Sequence, residues 1–111
     1  MMPFDDIADL QRKSAEVSAT LRMLSHEKRL LALCRLAIAG EMSVGALAEV
    51  VGLSQSALSQ HLAKLRSDGL VETRREGQVL HYRISDPRVS RLLAALYEIY
   101  CSAPETAPDH S

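Results

Sequence analysis

The residues best equipped for chemistry are two cysteines, Cys34 inside the apolar run Leu30–Ala39 and Cys101 at the end of a later helical pattern. A thiolate is a strong nucleophile that takes up sulfur or oxygen, so a chain with free thiols can register oxidants or reactive sulfur species. Buried cysteine is also common core filler, and the only neighbour in sequence that would lower a thiol pKa is Arg35. A small thiol enzyme, a peroxidase or sulfur transferase, is the distant alternative. Against it, the chain has no CxxC, no glycine-rich loop, and no His or acid placed in sequence to activate either thiol.

A second group of residues suits hydrogen bonding to base edges. Between Ser54 and Ser67, the apolar residues Leu58, Leu62 and Leu65 mark a buried stripe and leave Gln55, Ser56, Ser59, Gln60, Ala63 and Lys64 on or near the open side. The candidate DNA contacts are Ser54, Gln55, Ser56, Ser59, Gln60, His61 and Lys64 from this helix, with Arg74, Arg75 and Gln78 from the segment after it. Arg83 is also placed to approach phosphates. The plainer readings are a solvated helix face and a solvated charge run. His26, His61 and His81 fall on three different elements, which argues against a shared metal site.

Position in the chain gives these residues their meaning. Ile7, Leu10, Val17, Leu21 and Leu24 recur at helical spacing, with Ser14 in the gap, and predict an amphipathic helix over 4–24. Ser25 is expected to cap a second helix from His26 to Ala39, ended by Gly40. Ser43 to Val50 reads as a short helix that Gly52 interrupts before Ser54 caps the next, which is helix-turn-helix spacing. Leu70–Arg75 and Gln78–Ile84 then read as two strands around a turn at Glu76-Gly77, with Leu80, Tyr82 and Ile84 on one face. A last helix starts near Asp86-Pro87 and carries Val89, Leu92, Leu93, Leu96, Tyr97 and Tyr100 to Cys101, a broad apolar surface that wants a partner.

These elements predict a mainly α winged helix-turn-helix with one small β-hairpin, dimeric through its first and last helices. At 111 residues and 47% hydrophobic content, with one Phe, three Tyr and no Trp, the chain supports one compact core filled by aliphatic residues. A unit over 1–103 and a flexible tail over 104–111 are expected. The net charge of −1 carries no global signature of nucleic acid, but Lys64 to Arg83 is mildly basic between acidic ends. No secretory signal is visible at the start and no apolar stretch is long enough to span a bilayer, so a cytoplasmic protein with reduced thiols and no membrane partner is expected.

The order of elements, together with Leu24-Ser25-His26-Glu27-Lys28-Arg29-Leu30, Leu58-Ser59-Gln60-His61-Leu62-Ala63-Lys64-Leu65, Gly69-Leu70-Val71 and His81-Tyr82-Arg83-Ile84, resembles the ArsR family of dimeric bacterial repressors. The resemblance covers about residues 16–101. It implies operator DNA and a second copy of the chain as partners. Many members sense metals, but the thiolate site of the arsenic and cadmium sensors falls here on Val44-Gly45-Ala46-Leu47-Ala48-Glu49, which holds no Cys or His. Of the Asp and His cluster that zinc and nickel sensors carry on the last helix, only Asp86 remains, followed by Arg88, Arg91 and Glu98. No metal site and no cofactor are therefore expected.

Leu33-Cys34-Arg35-Leu36 and Leu96-Tyr97-Glu98-Ile99-Tyr100-Cys101 instead look like the dithiol persulfide sensors of this family, the BigR and SqrR type. That resemblance implies that Cys34 and Cys101 are close in the fold, that reactive sulfur species are the inducer, and that the reduced repressor binds DNA while the bridged one lets go. A plain disulfide needs Cα atoms about 4.4–6.8 Å apart, so a site held wider would accept only a longer sulfur chain. A metal-responsive or ligand-independent repressor with structural cysteines is the alternative.

Overall fold

The computed structural model describes residues 4–101, with side chains from residue 7 onward. The tail expected over 104–111 lies outside the described residues. Five helices and three short strands follow in the order α1 (Phe4–Leu24), α2 (Glu27–Ala39), β1 (Met42–Ser43), α3 (Val44–Val51), α4 (Gln55–Ser67), β2 (Val71–Glu76), β3 (Val79–Ile84) and α5 (Pro87–Tyr100). No described helix is long and apolar enough to cross a membrane.

The helix limits follow from local chemistry. Ser43 and Ser54 cap α3 and α4 with hydroxyls that accept from the Ala46 and Ala57 amides, and the Asp86 carboxylate does the same for α5 through Arg88, with Pro87 in the first turn. The cap of α2 differs from the expected one. His26, not Ser25, sits in extended backbone with its imidazole accepting from the Lys28 amide at 3.2 Å, and α2 begins at Glu27. Ser25 instead turns back and donates to the Arg22 carbonyl at 2.8 Å, closing the end of α1. At the turn between α3 and α4, Gly52 takes the left-handed conformation (φ 75°), and both Gly52 and Leu53 amides donate to the Ala48 carbonyl.

The sheet has three strands rather than two, in the order β1-β3-β2, both pairings antiparallel. Met42 and Ser43 pair with Tyr82 and His81. Two residues are too few to show a period of two, and their partners lie far along the chain. The expected turn also shifts by one residue: β2 continues through Glu76, and Gly77-Gln78 forms the two-residue loop, with a positive φ at Gly77 (63°) and none at Gln78.

One core binds these layers. Leu33 and Leu36 of α2, Leu47 and Val51 of α3, Leu58, Leu62 and Leu65 of α4 and Leu93 of α5 are essentially sealed from solvent, joined by Val71 and Tyr82 from the sheet. Helix α2 packs against α1, α3, α5 and β3, which makes it the central element of the fold. Of the described α1 side chains, only Met23 and Leu24 at its end are buried.

Candidate functional site

Helix α4 is built as a buried stripe with a polar outer face. Leu58, Leu62 and Leu65 are fully buried, while Ser54, Gln55, Ser56, Ser59, Gln60 and Lys64 are exposed. Gln55 leans back toward α3, its amide lying where a Cβ on Gly45 would come within 3.3 Å. Lys64 reaches Asp68 one turn on, at 3.8 Å. The α3–α4 unit is tied to α2 by Lys28, whose ammonium donates to the Val51 carbonyl at 3.0 Å and so meets the negative end of α3.

His61 stands apart from the other candidates on α4. It is half-buried on the flank of the apolar stripe, its ring centroid 4.6 Å from that of His26, and its Nδ1 accepts from Arg29 Nε at 3.3 Å. Burial first, then the nearby His26 and Arg29, push its pKa below the ordinary 6.5. It is among the expected DNA contacts although it is not one of the open-side residues; a helix turn of about 100° per residue carries it round to α2.

The hairpin divides its arginines. Register puts Val71, Thr73 and Arg75 opposite Ile84, Tyr82 and Leu80 on the core-facing side, and Glu72, Arg74 and Glu76 opposite Arg83, His81 and Val79 on the other. Arg74 grips Glu41 through two bonds of 3.0 and 2.8 Å and lies 3.5 Å from Glu76, while Arg83 bonds Glu72 at 2.6 Å. The Arg74 hydrogen bond holds the Glu41 carboxyl below the usual carboxylate range. Arg75 and Gln78 are exposed near the tip. Glu41 had no sequence signal as a partner, because 33 residues separate it from Arg74.

The two thiols are free. Cys34 is half-buried on α2, and Cys101 is exposed at the C-terminal cap of α5, its amide donating to the Tyr97 carbonyl at 2.7 Å. Because α2 and α5 pack together, Cys101 lies near enough for its charge to act on Cys34. Burial raises the Cys34 pKa above its ordinary value, and a Cys101 thiolate raises it further. Among the described residues, no group of three or more His, Cys, Asp or Glu side chains could hold a metal ion.

A helix-turn-helix whose second helix presents polar side chains outward, followed by a β-hairpin, defines a winged helix-turn-helix DNA-binding protein. The sequence profile described as "Bacterial regulatory protein, arsR family" matches residues 26–73. The transcriptional activator HlyU of Vibrio cholerae is 43% identical over 98 residues, which cover 88% of this chain and 90% of that protein. The structure of reduced HlyU superposes with a TM-score of 0.78, covering 84% of this chain and 97% of that one. The transcriptional repressor BigR of Xylella fastidiosa superposes with a TM-score of 0.79 at 39% identity, covering 92% of this chain and all of that one. The homodimeric winged helix-turn-helix domain of Mb0332 from Mycobacterium bovis gives 0.67 at 36% identity, over 96% and 95% of the two chains. The chain belongs to the ArsR family of bacterial transcriptional regulators, which are not enzymes.

Proposed function

We propose that this protein is a homodimeric repressor that reads operator DNA with α4 and the hairpin, and that a sulfur bridge between Cys34 and Cys101 lowers its affinity. The observation that carries the DNA assignment is the outer face of α4, where Ser54, Gln55, Ser56, Ser59, Gln60 and Lys64 stand exposed opposite a sealed leucine stripe. Gln and Ser donate to and accept from base edges, and Lys64, Arg75 and Gln78 are placed for the backbone. In a dimer, two such helices enter successive major grooves about 34 Å apart.

The thiol switch draws its support from the packing of α2 on α5 and from the action of Cys101 on Cys34. One cysteine thiolate attacks the outer sulfur of a persulfide RSSH, becoming CysSSH as the thiolate RS− leaves. The other cysteine thiol then displaces hydrogen sulfide and closes a disulfide: CysSSH + CysSH gives CysSSCys + hydrogen sulfide. Where both cysteines have taken up sulfur, CysSSH + CysSSH gives CysSSSCys + hydrogen sulfide, a bridge of three sulfurs. Either bridge ties the end of α5 to the middle of α2, the helix that also contacts α3. A coupling of about 1–3 kcal/mol between bridge and DNA lowers affinity roughly 5- to 150-fold.

The test is mass spectrometry of reduced protein after an organic persulfide, with peroxide in parallel, beside binding to a duplex selected from a random-sequence pool. A Cys34–Cys101 cross-link of two or three sulfurs formed by the persulfide, accompanied by loss of binding that Cys34→Ser and Cys101→Ser abolish, is the expected result. No intramolecular cross-link would return both cysteines to packing roles.

A further inference from the structure

We propose that His61 is a positioning residue, not a base contact: its neutral imidazole latches the recognition helix α4 to the N-terminal end of α2, the helix that carries Cys34. This rests on α4 being the recognition helix. His61 is half-buried, stacked at a tilt of 57° against His26 and bonded to Arg29 at 3.3 Å, so it is turned away from the exposed row of Gln55, Ser59 and Gln60. Its two partners are themselves anchored. His26 is held as the cap of α2 by the Lys28 amide, and a second nitrogen of Arg29 lies 3.7 Å from the Met23 sulfur at the end of α1.

The bond from Arg29 fixes the protonation state. Guanidinium is always a donor, so His61 Nδ1 must be the acceptor and its single proton sits on Nε2. Protonating Nδ1 removes the acceptor and sets an imidazolium against a guanidinium. The charged and titratable groups that act on His61 are His26, the cap of α2, and Arg29 of α2; from α1, the Met23 sulfur meets Arg29, and on α4 itself Lys64 pairs with Asp68. Neither α2 partner is an anion that could hold an imidazolium, and burial opposes it too. A charged His61 therefore leaves the latch, and α4 loses its fixed position over α2.

The sign of the resulting pH effect is diagnostic. A histidine that contacts phosphate gains affinity when protonated, because it adds a positive charge. A latch that needs the neutral ring loses affinity instead, by up to about tenfold per pH unit below the His61 pKa for each protomer of the proposed dimer.

The experiment measures binding of the intact protein to a duplex selected from a random pool at pH 8, from pH 8 down to 5.5, for wild type and for His61→Gln. Glutamine offers a neutral carbonyl acceptor and does not titrate. Wild type is expected to lose affinity on acidification, with a midpoint matching the His61 pKa from its ring-proton NMR titration, while His61→Gln lacks that component. The NMR midpoint in wild type keeps the test decisive if the variant folds poorly. Parallel profiles overturn the inference, and so does acid-enhanced binding in wild type that the variant loses, which would make His61 a phosphate contact. Failure of any duplex to be enriched removes the DNA reading and this inference together.

Discussion

Cys34 and Cys101 share a chemistry but not an environment, and that decides the order in which they react. Thiolate fraction and access govern attack, and Cys34 is both half-buried and raised in pKa, whereas Cys101 is exposed. Iodoacetamide at pH 7.5 is expected to label Cys101 first and Cys34 several-fold more slowly, read by peptide mass spectrometry over time. Cys101→Ser should lower the Cys34 pKa without restoring the ordinary value, since burial, the larger cause, remains; an unchanged Cys34 titration would separate the two thiols in space. Charge pairing sorts the hairpin arginines in the same way. Arg74 is already neutralised by Glu41 and Glu76, and Arg83 by Glu72. Arg75→Ala is therefore expected to flatten the slope of log affinity against log salt by about 1.8 in the proposed homodimer, the loss of one phosphate contact from each protomer, while Arg74→Ala flattens it less. Equal slopes for both variants would show that Arg74 leaves Glu41 when DNA binds.

At the scale of elements, the proposed role of α4 predicts that stability and recognition separate by face. Leu62→Ala should cost about 2–5 kcal/mol, because the side chain is fully buried, and Ser54→Ala about 1 kcal/mol through the lost cap. Gln60→Ala should leave the urea midpoint unchanged and weaken binding to the selected duplex; a Gln60→Ala protein that melts early would deny the division. Burial of His61 adds a pH dependence to stability. Its folded pKa lies below 6.5, so the unfolded chain takes the proton first, and stability is full above about 6.5 and falls as pH drops through that value. His61→Gln should lose that part of the acid sensitivity. What was legible in the sequence at this scale follows the range of the interaction. The cap at Ser54 and the stop at Gly40 depend on residues within a turn and stand where spacing placed them, while Ser43, expected as the first residue of its helix, is the cap before it, and Asp86, at the expected start of the last helix, caps it. Strand β1, the Glu41 clasp on Arg74 and the inward turn of His61 all depend on partners 30 or more residues away. Local periodicity carries no record of such pairings. Ser25 and His26 show a further limit: both side chains can cap, and only the backbone path out of α1 decides between them.

For the whole molecule, the decisive feature is how much apolar surface a single chain leaves uncovered. On α1, Ile7, Leu10, Val17 and Leu21 are 40–55% exposed, at steps of three, seven and four residues along one face. On α5, Tyr97, Ile99 and Tyr100 are 44–80% exposed. Among the described residues, this 21-residue helix is held to its own chain by buried Met23 and Leu24 near its end and by the mid-helix Arg88–Glu16 bridge at 2.9 Å, little for a helix that is marginal in water by itself. In the homodimer proposed above a second copy covers this surface; the similar Mb0332 domain is homodimeric. The pairing also creates the geometry on which DNA binding depends, because one α4 can occupy only a half-site. Leu10→Glu with Val17→Glu places charges where the stripe must dehydrate, and is expected to give a monomer by sedimentation while the core around Leu33, Leu58 and Leu93 stays intact. That monomer should bind the selected duplex far more weakly than the dimer, and its residual affinity should no longer respond to persulfide, since a bridge that acts by spoiling the spacing of two helices has no spacing left to spoil. A monomer whose weak binding still falls on bridging would place the switch within one chain, along α2 from Cys34 to Arg29 and His61.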